Sequence, residues 1–481
     1  MKLIAIKNKR YILRLALIAV PLLPVLSSCE DDFLEAVPEL EISDVNAFDT
    51  PERVLAQVNG LYSGLKHGRF LGGRYQIYND IRAEEFINRT GNNVTGTSVW
   101  NATAGADETY ITDIWSRGYQ AINRVNVFLK GLEDNAAKVG AEDAQSYGAE
   151  AKFIRAMSYL SLVQVFAKPY TSDNGASPGL PLRLQAETTG ANNSLERSSV
   201  AEVYAQILSD LNEAEAGLPE SYGDPVLNTT RATKSAAIAL KTRVYLIMGR
   251  YQDVVTEGNK LVPNAAPFAS ALALQHKLEE DVIAVFSNYT NSEAIFSVPF
   301  TATDAPGTQN QLGYYFNSGN TEYYLNQSAP GIFANPQFEA DDARRTELTA
   351  TINGQQYVTK FSGVNPYIDW VPLIRYAEVL LNLAEAEAEV GSEERAVALL
   401  EAVHQRSDAS WQYTGTGQED LVAAILTERR IELITEGFRA NDILRRSLPL
   451  YSAGAGVSIA PSDERYVFSI PTSELNTNSG L

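Results

Sequence analysis

The sequence of 481 residues predicts a mainly α-helical protein of tetratricopeptide-like helix pairs (an α–α superhelix), with long irregular loop inserts and little β-structure. Three observations support this fold class. From Thr50 onward, apolar residues recur mostly at three- and four-residue steps, which is the period of an amphipathic helix. Two segments, 236–261 and 380–406, each contain an alanine-rich helix, a turn with glycine and a second helix. Between them, residues 285–372 lose the helical period.

The first helix is predicted to run from Pro51 to about Leu65. Thr50 supplies a capping hydroxyl, Pro51 fits the first helical position and Glu52 places an acid in the first turn. The same periodicity predicts three more helices: one that carries the apolar residues from Ile111 to Phe128, one over 149–167 and one over about 200–218. Residues 149–167 are apolar on nearly every side, which favours a helix packed between other helices.

The two similar segments have the residue spacing of tetratricopeptide hairpins. Gly249 precedes Val254, and Gly391 precedes Ala396, at nearly the same offset. They are not regularly spaced, so a pure repeat protein is not predicted. Residues 285–372 are rich in Asn, Gln, Gly, Pro and aromatic residues, and a similar insert occupies about 87–108. Such runs without helical period are usually functional loops.

Charged residues near the C-terminus predict one further helix. Glu428, Glu432, Glu436 and Arg439 follow at steps of four, four and three, so opposite charges are expected to pair along its surface. A structural role is favoured here over an anion or metal site. Trp115, on the apolar face of a predicted helix, is expected in the core.

The N-terminus is typical of an exported lipoprotein. Five cations and no acid precede an apolar stretch from Leu15 to Leu26, which small residues close, and this is the order of a signal peptide. The ending Leu26-Ser-Ser-Cys29 resembles a lipobox, in which the cysteine is lipidated and becomes the new N-terminus. The sequence therefore predicts a lipoprotein signal peptide at 1–28, lipidation at Cys29 and an acidic tether over 29–46.

Two alternatives to lipidation are weaker. The apolar stretch is roughly a dozen residues and contains Pro21 and Pro24, whereas a membrane-spanning helix needs about 20 residues. A free thiol would leave Cys29, the only cysteine of the chain, unpaired in an oxidising compartment. Lipidation explains the solitary cysteine, and two or three acyl chains would hold the mature protein on a membrane.

The charge of the chain excludes some partners. The formal net charge is −20, and it becomes −25 once the five cations of residues 1–28 are removed. An acidic surface of this kind repels nucleic acid and anionic lipid headgroups, and no basic run of the mature chain compensates. Neutral or cationic ligands are favoured, and no nucleic-acid partner is expected.

Six motifs follow one another over essentially the whole chain: the lipobox with Cys29-Glu-Asp-Asp-Phe-Leu, Ala149-Glu-Ala-Lys-Phe-Ile-Arg-Ala, Ala232-Thr-Lys-Ser with Arg243-Val-Tyr-Leu, Leu373-Ile-Arg-Tyr-Ala-Glu, Glu428-Arg-Arg-Ile-Glu-Leu with Glu436-Gly-Phe-Arg, and Phe468-Ser-Ile-Pro. In this order they resemble the SusD/RagB family of outer-membrane lipoproteins from Bacteroidetes. The loops share no motif with members of known ligand.

The resemblance implies one helical domain over 47–481, with halves at about 47–262 and 263–481, and a ligand site formed by inserted loops. It implies binding of an oligosaccharide, or in some members a peptide, and a SusC-like TonB-dependent transporter as partner. It also implies a lipid anchor in the outer membrane. Glu30, Asp31 and Asp32 resemble a surface-export signal, which favours the outer face.

Composition alone selects the candidate ligand residues, because aromatic faces stack on sugar rings and amides pair with hydroxyls. They lie in the two inserts: Trp100, Asn101, Tyr314, Tyr315, Asn317, Tyr323 and Tyr324. For Trp100 two roles stay open, since the indole either pins its polar loop or offers a flat face to a ligand. Some of the tyrosines are expected to pack the loop itself.

Catalysis finds little support in the sequence. The three histidines are far apart, and no zinc motif, nucleophile elbow, phosphate-binding loop or EF-hand spacing is present. No cofactor and no metal are expected. Two alternatives remain: a lipid-anchored tetratricopeptide scaffold that binds proteins on a helical face, and a polysaccharide-degrading enzyme with one essential carboxylate pair.

Overall fold

The helices of the computed structural model begin close to their sequence signals. The structure describes residues 46–191, 193–317, 322–363 and 365–481. Helix α1 spans Pro51–Leu65, and the Thr50 hydroxyl accepts a hydrogen bond from the Arg53 N–H at 3.4 Å. The prediction for this helix is confirmed. Residues 1–45, which include the predicted signal peptide, Cys29 and nearly all of the tether, lie outside the described residues.

Helices make up about half of the described structure, and they include the three further helices predicted around 111–128, 149–167 and about 200–218. In chain order they are α2 (Arg74–Ile81), α3 (Thr97–Trp100), α4 (Thr109–Asp134), α5 (Ala136–Val139), α6 (Ala141–Phe166), α7 (Val200–Gly217), α8 (Pro225–Thr230), α9 (Lys234–Ile247), α10 (Tyr251–Gly258), α11 (Ala284–Ser287), α12 (Leu312–Phe316), α13 (Ala343–Thr346), α14 (Tyr376–Val390), α15 (Glu393–Gln405), α16 (Gly417–Glu432), α17 (Arg439–Arg445) and α18 (Thr472–Thr477).

The long helices pack as neighbouring pairs. α4, α6, α7 and α9 lie side by side, α9 with α10 and α14 with α15 form the two predicted hairpins, and α10 packs on α14. In α6, every residue from 149 to 166 except Lys152 and Gln164 is buried. The prediction that this segment packs between other helices is confirmed, as is the burial of Trp115. The fold is therefore of the predicted tetratricopeptide-like class.

The close approach of α4 to α6 depends on Gly118. A Cβ atom there would lie 2.8 Å from Cδ2 of Leu162. Replacing Gly118 with valine is expected to lower the free energy of unfolding by about 1–3 kcal/mol, because the extra methyl groups force the two helices apart. The matched control is Gly60→Val in α1, where nothing lies within 4 Å of the added Cβ. Urea denaturation of both variants measures the free energy of unfolding. An equal decrease in the two variants would contradict a role of Gly118 in the close approach of the helices.

Strands are short and pair only in twos within the described residues. β1 (Phe86–Asn88) pairs with β3 (Tyr323–Leu325), β2 (Ala294–Val298) with β6 (Val371–Arg375), β4 (Thr349–Ile352) with β5 (Gln355–Val358), and β7 (Leu450–Ser452) with β8 (Val457–Ile459). All four pairs are antiparallel. The β2–β6 pair joins the two ends of the insert at 285–372, so this long segment is closed at its base immediately before α14.

The charged segment near the C-terminus differs from the prediction of one continuous helix. α16 ends at Glu432 and α17 begins at Arg439. Between them, Thr435 has a φ of 69° and Gly437 a φ of 84°. Left-handed backbone of this kind ends a helix, and a non-glycine residue adopts it only where the surroundings impose it. The local charge pattern carries no sign of this break.

The charges of this segment pair mainly across the core rather than along one helix. Arg375, on β6, donates to Glu436 at 2.7 and 2.8 Å and to Glu432 at 2.9 Å, and all three side chains are buried. Burial alone would raise the pKa of Asp442, but the guanidinium groups of Arg429 and Arg445 together lower it to about 2. These residues hold helices and strands together, which agrees with the structural role predicted for them.

Candidate ligand-binding site

The two inserts identified in the sequence meet in the structure. β1 lies at the start of the first insert and β3 lies within the second, and their antiparallel register pairs Ile87 with Tyr324 and Asn88 with Tyr323. Directly opposed residues of an antiparallel pair share one face. Ile87 and Tyr324, both half-buried, therefore lie together on the outer side of this ladder. The candidates from the two segments thus belong to one region, which we call the insert surface: residues 86–101 with 309–317 and 322–326.

Two of the predicted residues lie inside this region rather than on it. Tyr315 and Tyr323 are 0% exposed, and their rings stack at 6.0 Å with an angle of 10° between the planes. The Tyr323 hydroxyl donates to the Thr95 carbonyl at 3.0 Å. Burial raises the pKa of both phenols well above the ordinary value. In this conformation both tyrosines support the insert surface from below.

Asn317 is also buried. Its Nδ2 donates to the Phe361 carbonyl at 2.8 Å, which ties the end of α12 to the chain beyond β5. The amide thus holds two parts of the second insert together.

Trp100 ends α3 and is half-buried, although its surroundings in the sequence indicate only loop. Its indole N–H donates to the Phe86 carbonyl at 2.8 Å, and its own carbonyl accepts from the Ser452 hydroxyl at 2.7 Å. Gly454 packs closely against the indole, since a Cβ atom added to this glycine would lie only 2.6 Å from Trp100 Cδ2. The indole N–H therefore ties the end of α3 to β1 within the first insert. Asn101, half-buried as well, follows directly.

Tyr314 and Tyr324 are half-buried and supply the aromatic faces of the second insert. The Tyr314 hydroxyl donates to Glu322 Oε1 at 3.3 Å and accepts from Gln309 Nε2 at 3.2 Å. Tyr367 packs edge-on against the Tyr314 ring at 5.7 Å. The Tyr314 ring is thereby held in one orientation before any ligand arrives, which lowers the entropy cost of binding.

Glu322 organises the insert surface, although it is not among the residues predicted from the sequence. Its buried carboxylate accepts from the hydroxyls of Thr90, Thr95 and Tyr314, so it joins the first insert to the second. A signal was present in the sequence, because Glu322 is the one charged residue between Asp304 and Glu339.

Arg74 and Tyr110 were also missed. Arg74, fully buried on α2, places its guanidinium carbon 3.6 Å from the ring centroid of Tyr110 and 5.3 Å from that of Tyr315. It also donates to Asn310 Oδ1 at 3.0 and 3.2 Å. This cation–π arrangement fixes the half-buried Tyr110 beside the second insert.

Comparison with known proteins identifies the family. A family model described as "Starch-binding associating with outer membrane" matches residues 32–246, and the SusD family model matches residues 309–481. The crystal structure of a SusD superfamily protein from Bacteroides fragilis is 34% identical and superimposes with a TM-score of 0.82. The similarity covers 90% of this chain and 99% of that one. The chain belongs to the SusD family.

Two further SusD-like proteins are similar over most of the chain. SusD-like protein P38 of Formosa agariphila is 24% identical, and the match covers 88% of this chain and 89% of that protein. A structure described as a laminarin-binding SusD-like protein is 23% identical with a TM-score of 0.69, and covers 89% of this chain and 97% of that one. At this identity the second likeness shows the fold.

The insert surface of this SusD-like chain combines fixed aromatic faces with amides and hydroxyls, and the described part contains no set of side chains there that would hold a metal ion. Such a surface stacks on the C–H faces of a flat ligand and pairs with its polar groups.

No helix among the described residues is long and apolar enough to cross a membrane.

Proposed function

We propose that this SusD-like chain is a cell-surface lipoprotein that binds nutrient oligosaccharides, or peptides, and delivers them to a SusC-like TonB-dependent transporter. The observation that carries the proposal is the union of the two inserts into one surface with oriented aromatic faces. The family description names starch binding, and one structural neighbour binds laminarin. Both support an oligosaccharide as the first ligand to test.

The chemistry of the insert surface suits a neutral sugar. Sugar rings present C–H groups that stack on aromatic rings such as Tyr314 and Tyr324, and their hydroxyls need both donors and acceptors, which amides such as Asn101 supply. Tight binding is unnecessary, because a lipid anchor beside the transporter raises the effective concentration of bound ligand. Fast release then favours delivery.

Lipid anchoring through Cys29 is part of the proposal and has its own test. In cells fed labelled palmitate, the wild-type chain is expected to carry the label and to fractionate with the outer membrane. Cys29→Ser is expected to lose the label and membrane attachment, since the thiol is the acceptor. Retention of label and membrane attachment by the variant would contradict lipidation at this position.

The binding function is tested by calorimetry with residues 30–481, which include the compact unit Ala47–Leu481. The protein is titrated with plant, fungal and host oligosaccharides and with peptide mixtures. Saturable heat with one glycan class is the expected result and identifies the cargo. Heat with peptides alone would assign the chain to peptide uptake. Silence across the panel, together with no transporter copurifying from membranes, would overturn the proposal.

A further inference from the structure

A cavity of about 240 Å³ is formed by the end of the first insert, the β7–β8 hairpin and the chain that follows this hairpin. Its walls include the buried apolar side chains of Val99, Leu450, Ile459 and Phe468. Arg82 is the one buried charged residue among those that line it. A water molecule needs only about 10–15 Å³ of such space, so the cavity has room for an organic group.

Arg82 lacks a full counter-charge. It directly follows α2 and is 4% exposed, yet no acid among the described residues pairs with it. Its Nη2 donates to the Tyr466 carbonyl at 2.8 Å and to the Arg465 carbonyl at 3.4 Å, and its guanidinium carbon lies 4.4 Å from the Phe468 ring centroid. These contacts supply only partial negative charge. Arginine is almost never buried without a paired charge, so an uncompensated cation lies beside the cavity.

Two of the three guanidinium nitrogens of Arg82 have no hydrogen-bond partner. Nη1 is sealed inside the protein, whereas Nε is not sealed, so its N–H is the donor that a ligand in the cavity can reach. Arg74 is also buried without an ion pair, but its Nε donates to Asn310 Oδ1 at 3.2 Å and its Nη1 to the Val94 carbonyl at 3.0 Å. Its Nη2 donates to Asn310 Oδ1 at 3.0 Å. Arg74 is therefore satisfied within the protein, and Arg82 is not.

The charge of Arg82 persists at neutral pH. Burial lowers its pKa to about 10, and the phenols of Tyr466 and Tyr75 oppose this change. Two exposed residues that also line the cavity, Glu464 and Arg465, carry opposite charges, and solvent screens both. The buried cation therefore sets the sign of the potential inside the cavity, although the chain as a whole is acidic.

We propose that this cavity binds the carboxylate of an acidic sugar, a uronate residue of the bound oligosaccharide, with Arg82 Nε–H as its donor and charge partner. Guanidinium–carboxylate hydrogen bonds are among the strong ones, and the apolar walls suit the C–H groups beside the carboxylate. Val99 belongs both to the cavity and to the insert surface, so one oligosaccharide can reach both. The inference rests on the proposed function and narrows its ligand.

The test is calorimetry of residues 30–481 with glucuronate and with glucose, its neutral counterpart. Glucuronate is expected to bind at least about tenfold more tightly, and Arg82→Met is expected to remove this preference, because methionine has neither the charge nor the donor. Arg82→Lys keeps the charge and is expected to lose less. The control is Arg250→Met, which removes an exposed arginine paired with Asp253 outside the cavity and is expected to bind like the wild type.

A crystal structure of the wild type with glucuronate locates the carboxylate even if the variants fold poorly. An oxygen is expected about 2.7–2.9 Å from Arg82 Nε. A carboxylate bound elsewhere, equal affinity for glucuronate and glucose, or full preference in a folded Arg82→Met would overturn the inference. Binding of N-acetylalanine in place of glucuronate would overturn it as well, since a peptide carboxylate would then be the ligand.

Failure of this inference is distinguishable from failure of the proposed function. Saturable binding of neutral oligosaccharides without a preference for glucuronate would overturn the carboxylate site and leave sugar uptake standing. Failure of the proposed sugar binding would appear as silence toward every sugar, glucuronate included.

Discussion

Replacing Arg375 with methionine is expected to lower the free energy of unfolding by about 3–5 kcal/mol. The guanidinium lies in the core with 3% of the side chain exposed, and it pairs with Glu293, Glu432 and Glu436. Methionine fills much of the volume but leaves these carboxylates without their common partner. Lys360 still pairs with Glu436, and Arg406 still pairs with Glu293 and Glu432, so part of the stabilisation remains. Urea denaturation followed by circular dichroism measures it.

The control is Arg465→Met, which removes an exposed arginine paired with Asp463. Exposed ion pairs contribute about 0–1 kcal/mol, so this variant is expected to unfold nearly as the wild type does. If both arginine variants lost the same amount, the buried charge network would not stabilise the fold in the way described.

The second large effect concerns ligand binding. Tyr324→Ala and Tyr314→Ala are each expected to weaken oligosaccharide binding at least tenfold, because each removes an aromatic face from the insert surface. Their half-exposed rings contribute less to the core, so the helical content is expected to stay unchanged. Tyr315→Ala is different, since this ring is 0% exposed, and it is expected to destabilise the chain by about 3–5 kcal/mol.

Calorimetry and thermal unfolding on the same samples separate these outcomes. Tyr147→Ala, at a half-exposed tyrosine of α6, is the matched control and is expected to bind like the wild type. Full binding by both Tyr314→Ala and Tyr324→Ala would show that these rings do not contact the ligand. Loss of binding that accompanies unfolding would show that they are packing residues.

The helical frame could be predicted from the sequence because its signals are local. The Thr50 cap, the periodicity of α4 and α7 and the glycine turns of the two hairpins each act within a few residues. The break after Glu432 could not, because Thr435 takes its left-handed conformation from the packing around it. The charge pattern alone therefore predicts one helix where the structure has two.

The composition of the sequence predicts which segments form the candidate site. It does not predict which side chains of those segments are exposed. Composition identified both inserts, and the β1–β3 register then decided that Tyr324 faces outward and Tyr323 inward. A shift of one residue would exchange these roles, and the sequence does not set this register. Arg74 and Asn310 are 236 positions apart, so no local pattern could connect them. Long-range contacts of this kind give the insert surface its final form.

A crystal structure of residues 30–481 with the oligosaccharide identified by calorimetry tests most directly whether the two inserts together form the ligand surface. The predicted result is a sugar ring stacked on Tyr314 or Tyr324, with its hydroxyls bonded to amides of the same surface. A ligand bound on the helical hairpins, away from both inserts, would contradict a ligand surface formed by the inserts.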